Sequence, residues 1–80
     1  MFAVRVVRVP PGWTRAYDED EWRDALVLVE RGEIELEGAA GALRQFACGD
    51  MLCLAGLSLR ALHNRGREPA VLVALARVST

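Results

Sequence analysis

Apolar residues in this chain recur mostly at a period of two, in short runs that glycine or proline brings to a stop, and this pattern belongs to strands rather than helices. Phe2 to Val9 reads FAVRVVRV, with Arg5 and Arg8 as its polar positions, and Pro10-Pro11-Gly12 ends it. Trp13 to Tyr17 reads as a short aromatic strand before the acidic run Asp18-Glu19-Asp20-Glu21. Asp24 to Glu30 places Leu26 and Leu28 on one side and Val27 and Val29 on the other, so both faces of that strand ask for burial. Glu33 to Glu37 alternates strictly, as a half-buried strand does. A helix over 24–37 is the rival reading, and Gly32, the valines and the period of two count against it.

Further strands are expected at Ala42–Phe46 after the turn Gly38-Ala39-Ala40-Gly41, and at Met51–Ala55 after Gly49-Asp50. Ser58–His63 alternates again, with Leu59, Ala61 and His63 on one face and Arg60, Leu62 and Asn64 on the other. The hydrophilic turn Asn64–Pro69 leads to a last apolar strand, Val71–Val78. Many short strands and no convincing helix predict an all-β sandwich or small barrel. At 80 residues, without linker or low-complexity tract, the expectation is one domain spanning 1–80.

Composition narrows the function classes. A chain 52% hydrophobic with net charge -1 is not disordered, and it lacks the basic excess of a protein that grips nucleic acid by bulk charge. No apolar run reaches membrane-span length, and Arg5 and Arg8 interrupt the one apolar stretch where a signal peptide would lie, so no membrane partner is expected. All ten basic residues are arginine. Residues 1–40 carry a net charge of -4 and 41–80 a net charge of +3, which invites attraction between the halves or is chance. Cys48 and Cys53 are too few for a disulfide framework and fit no common zinc spacing. They read as small residues in or beside a strand, and a cytoplasmic location follows. A core this thin makes a homodimer the expected way to bury more apolar area.

The segment Gly49–Asn64, GDMLCLAGLSLRALHN, resembles the second motif of the cupin superfamily: Gly49 and Asn64 fall in place, while Ala55, Leu57 and Arg60 stand at the proline, second-glycine and histidine positions. Gly12 and Gly32 are similarly spaced to the ends of the first cupin motif, with Asp18 and Asp20 at its two histidine places and Ala25 at its glutamate place. The resemblance implies a small cupin-like, jelly-roll β-barrel whose metal-holding residues are replaced. Hence no metal and no cofactor are expected. Arginine cannot ligate a metal, and His63, three residues beyond Arg60, falls on the opposite face unless a bulge resets the register.

Two readings of the replaced positions stay open. Arg60 could pair with Asp18 and Asp20 where a metal would otherwise sit. Alternatively, Arg60 is free for an anionic ligand beside an aromatic wall from Trp13, Tyr17 or Trp22. The blander alternatives are tryptophans that serve the core and an acidic run that is a solvated loop. The function expected is a metal-free module that binds a small ligand, anionic or not, or a protein partner. The competing classes are an isomerase- or cyclase-type enzyme using barrel carboxylates, an atypical metal-dependent cupin enzyme, and an assembly unit with a filled barrel.

Overall fold

The computed structural model describes residues 1–54 and 56–77. Among these residues eight strands form: β1 (Phe2–Val9), β2 (Thr14–Ala16), β3 (Ala25–Arg31), β4 (Glu33–Gly38), β5 (Leu43–Ala47), β6 (Met51–Cys53), β7 (Leu59–His63) and β8 (Ala70–Arg77). The expected strand ends at Ala55 and Val78 lie outside the described residues. The strands make two four-stranded antiparallel sheets, β1-β8-β3-β6 and β2-β7-β4-β5. Apart from the β4–β5 hairpin, neighbours in each sheet come from distant parts of the chain, and the eight strands pack as a double-sheet jelly roll. The all-β, jelly-roll expectation is borne out.

Alternation builds the core between the sheets. Val27 and Val29 of β3 and Leu72 and Ala74 of β8 face Ile34 and Leu36 of β4 and Leu62 of β7, all buried. The expectation that both faces of β3 are covered is corrected: Val27 and Val29 have no exposure, whereas Leu26 and Leu28 look outward into solvent. The sheet has a second layer on one side only.

The acidic run is also corrected. Glu19–Trp22 is a one-turn helix, α1, not a loop. Asp18 caps it by accepting a hydrogen bond from the Asp20 backbone N–H, and three carboxylates occupy its first turn, where the amide dipoles favour negative charge. Its Trp22 plugs the core completely, with the Arg5 guanidinium 5.0 Å from the ring centre. One turn is too short to show a helical period, so alternation could not reveal it.

Asn64 fixes the β7–β8 connection. Its side chain is buried and fully bonded: Nδ2 donates to the carbonyls of Val9 and Glu68, and Oδ1 accepts from the Gly66 N–H. This amide ties the end of β1 to the turn before β8, a structural role for a residue of the second motif.

Candidate functional site

The sequence-predicted site residues do not form one cluster: Arg60 meets Tyr17 only through its backbone carbonyl, which accepts from the Tyr17 N–H at 2.9 Å. Asp18 is spent on capping α1, and Asp20 pairs with Arg23 on the surface. Trp13 is exposed and Trp22 is core. Tyr17 is half-buried against the core and donates its hydroxyl to Glu19 Oε2 at 2.9 Å. Burial, then that hydrogen bond and the nearby carboxylates, push the Tyr17 phenol up to about 12.

The expected Arg60 pair with Asp18 and Asp20 is replaced by another. Register shifts between Glu37 and Gly38, so that Ala61 lies opposite Glu37 but Leu59 opposite Gly38. This bulge re-aims Arg60, whose guanidinium reaches Glu37 Oε2 at 3.3 Å and the Ala39 carbonyl at 3.0 Å. His63 Nε2 donates to Glu37 Oε1 at 2.7 Å, since a carboxylate can only accept, and its Nδ1 shares a hydrogen bond with the Thr14 hydroxyl at 2.8 Å. Arg60 and His63 therefore converge on one carboxylate instead of facing apart. The hydrogen bond from His63 holds the Glu37 carboxyl below its ordinary value, and the Arg60 charge assists against the opposing effect of desolvation.

Glu35 pairs with Arg65 and Glu33 with Gln45 beside this network, so the β4 carboxylates on the outer face of β2-β7-β4-β5 are each paired. The Arg60–Glu37, His63–Glu37 and Arg65–Glu35 contacts join the basic second half to the acidic first half. The cleft next to His63 holds only about 30 Å³. That is room for ordered water, not for a substrate. Among the described residues, no three His, Cys, Asp or Glu side chains gather as a metal would require.

A different arginine marks a cavity. Leu36 of β4 stands opposite Arg44 of β5 on one side and Leu62 of β7 on the other, so Arg44 shares the core-facing side of its strand. Ile34 stands opposite Phe46 in the same way. Leu36, Phe46, Leu57 and Leu59, together with Gly38, Ala42, Arg44 and Ser58, line a half-open, largely apolar cleft of about 160 Å³. Arg44 has no ion-pair partner among the described residues. A cavity of about 150 Å³ walled by such side chains accepts a benzene-sized molecule. Sequence reasoning missed Arg44, although strict alternation within Leu43-Arg44-Gln45-Phe46 aligns it with Phe46.

No protein-family model matches the chain, and no curated protein matches it. Solved structures do. The Cupin_2 domain of an XRE family transcriptional regulator from Enterobacter cloacae superposes with a TM-score of 0.67 at 19% identity, over 99% of this chain and 83% of that one. A protein from Neisseria meningitidis superposes with a TM-score of 0.66 at 15% identity, over 98% of this chain and 74% of that one. The fold is cupin-like.

Proposed function

We propose that this chain is a cytoplasmic, metal-free ligand-binding domain, and that its ligand is a small aryl or short-alkyl carboxylate. The observation that carries the reading is the apolar cleft of about 160 Å³ lined in part by Arg44, which has no ion-pair partner among the described residues. An aryl or alkyl group fills the Leu36–Phe46–Leu57–Leu59 space, and the carboxylate takes the planar fork of Arg44. Cavity size limits the ligand, since drug-sized molecules need roughly 300–1,000 Å³.

The metal-free part rests on donor chemistry. Of the positions where the resemblance would place metal ligands, Ala25 has no donor atom and Arg60 cannot ligate, while Asp18 and Asp20 are engaged elsewhere. Two free cysteines, Cys48 and Cys53, suit a reducing compartment. That a domain of this fold serves in a transcriptional regulator supports a binding role over turnover.

The test is calorimetric titration of the protein and its Arg44→Gln variant with benzoate, butyrate and the corresponding neutral amides. The carboxylates are expected to bind the native protein, and the substitution to weaken them about tenfold or more, as loss of a charge-assisted bond worth roughly 1.5–3 kcal/mol requires. Amides bound as well as acids, or an unaffected variant, would refute the reading.

A further inference from the structure

The outer face of β2-β7-β4-β5 carries a line of hydrogen bonds that its ion pairs alone do not explain. Thr14 on β2 stands opposite His63 on β7, and His63 stands opposite Glu35 on β4, with Glu37 diagonally beside it. Three strands thereby align a hydroxyl, an imidazole and a carboxylate. Thr14 Oγ1 lies 2.8 Å from His63 Nδ1, and His63 Nε2 lies 2.7 Å from Glu37 Oε1. The carboxylate fixes the proton on Nε2, so the neutral ring turns its Nδ1 lone pair to the Thr14 hydroxyl. Arg60 holds the other Glu37 oxygen and is itself tied to the Ala39 carbonyl. The His63 and Glu37 side chains are only 12% and 21% exposed, whereas Thr14 is open to solvent. In addition, β2 is an edge strand. The Asn64 N–H bonds the Trp13 carbonyl and the Tyr17 N–H bonds the Arg60 carbonyl, so alternation turns the Thr14 N–H away from β7 toward the open edge. The residue with the aligned hydroxyl thus presents a backbone donor as well.

We propose that Thr14 is an acyl-accepting nucleophile with His63 as its general base, and that its substrates are small activated acyl donors, the class of aryl esters, thioesters and acyl phosphates. A nucleophile within hydrogen-bond reach of a base, itself oriented by a third group, is the arrangement that activates a hydroxyl. In the step, Thr14 Oγ1 forms a bond to the acyl carbon and its proton passes to His63 Nδ1. The bond to the leaving group breaks, and that group departs with the electron pair and takes the proton from the imidazolium. The Thr14 N–H is the donor at hand for the oxygen on which charge develops. Glu37 keeps the ring in the accepting tautomer and is a positioning residue. Hydrolysis follows the same route: His63 takes a proton from water, the water oxygen attacks the ester carbon, and the acid and the Thr14 hydroxyl are released. The cleft of about 30 Å³ lined by His63 has room for such a water. A hydroxyl on an open sheet face has little binding energy to draw on, so the donor must be small and carry a good leaving group. The Arg44 cleft lies on the core-facing side of the same sheet and takes no part.

The test is acetylation of the protein by p-nitrophenyl acetate, read by mass mapping of its peptides over time. The chain has no lysine, so few amines compete for the reagent. On the native chain Thr14 should be labelled faster than the exposed Ser58, although a secondary hydroxyl is the more hindered. His63→Gln should slow labelling at Thr14 by about a hundredfold, the contribution of a positioned base, and leave Ser58 unchanged. Glu37→Gln should also slow Thr14 alone, because its amide can hold the ring in the other tautomer. Thr14→Ser should keep the label at that position and Thr14→Val should lose it. Ser58 labelled as fast as Thr14, or a folded His63→Gln protein that labels Thr14 at the native rate, would each overturn the proposal. If the variants fail to fold, the comparison of Thr14 with Ser58 on the native chain decides.

Discussion

Glu37 shows how one side chain can organise a surface. Its carboxylate accepts from His63 and Arg60 together, and both interactions need it ionised. A carboxyl held below its ordinary value near 4.5 in the folded chain contributes stability above that value, and the contribution is lost as pH falls through the lower folded value. Chemical-denaturation curves between neutral pH and pH 3 should therefore show Glu37→Gln less stable than the native protein near neutrality. The difference should shrink in acid. Parallel pH profiles for the two proteins would refute this. Neither the contact nor its sign was legible from spacing alone: counting by twos from Arg60 puts His63 on the opposite face, and only the bulge between Glu37 and Gly38 brings them together. A bulge is one residue of mismatch between two distant strands, so it leaves no mark within either strand's own pattern.

At the scale of elements, the strands were legible because each is a run of alternating residues closed by a turn, and the turns are encoded by residues with special backbone freedom. Gly32 between β3 and β4 is the most demanding. Its φ is +71°, and a Cβ there would lie 2.5 Å from the Pro69 carbonyl oxygen, which is backbone and cannot swing away. Gly32→Ala should therefore destabilise the fold by more than about 1 kcal/mol, measured as a lowered denaturation midpoint with unchanged slope. A midpoint equal to the native one would show that the β3–β4 turn and the β7–β8 loop do not approach so closely. What alternation could not supply is which side of a strand meets another layer. Leu26 and Val27 are equally apolar, and only the sheet order decides that Val27 enters the core while Leu26 is left outside. The same ambiguity hid the cavity, because Arg44 lines it only when β5 pairs with β4 in this register.

For the whole molecule, the two outer faces differ in character: one pairs Arg60, His63 and Arg65 with Glu37 and Glu35, and the other leaves Val4, Val6, Leu26, Leu28 and Leu75 partly or largely exposed. In a chain of 80 residues, the core between the sheets supplies only a small margin of stability, so cover on the second face would change the folding equilibrium itself. Self-association through that face would couple dissociation to unfolding and make stability depend on concentration, by about 1.4 kcal/mol for each tenfold change in chain concentration. The expected outcome is a melting temperature that rises by a few degrees per tenfold increase in protein. Val4→Glu, which places a charge on that face, should then melt lower and independently of concentration. A native melting temperature that stays constant over such an increase would mean that the apolar face contributes nothing to folding stability.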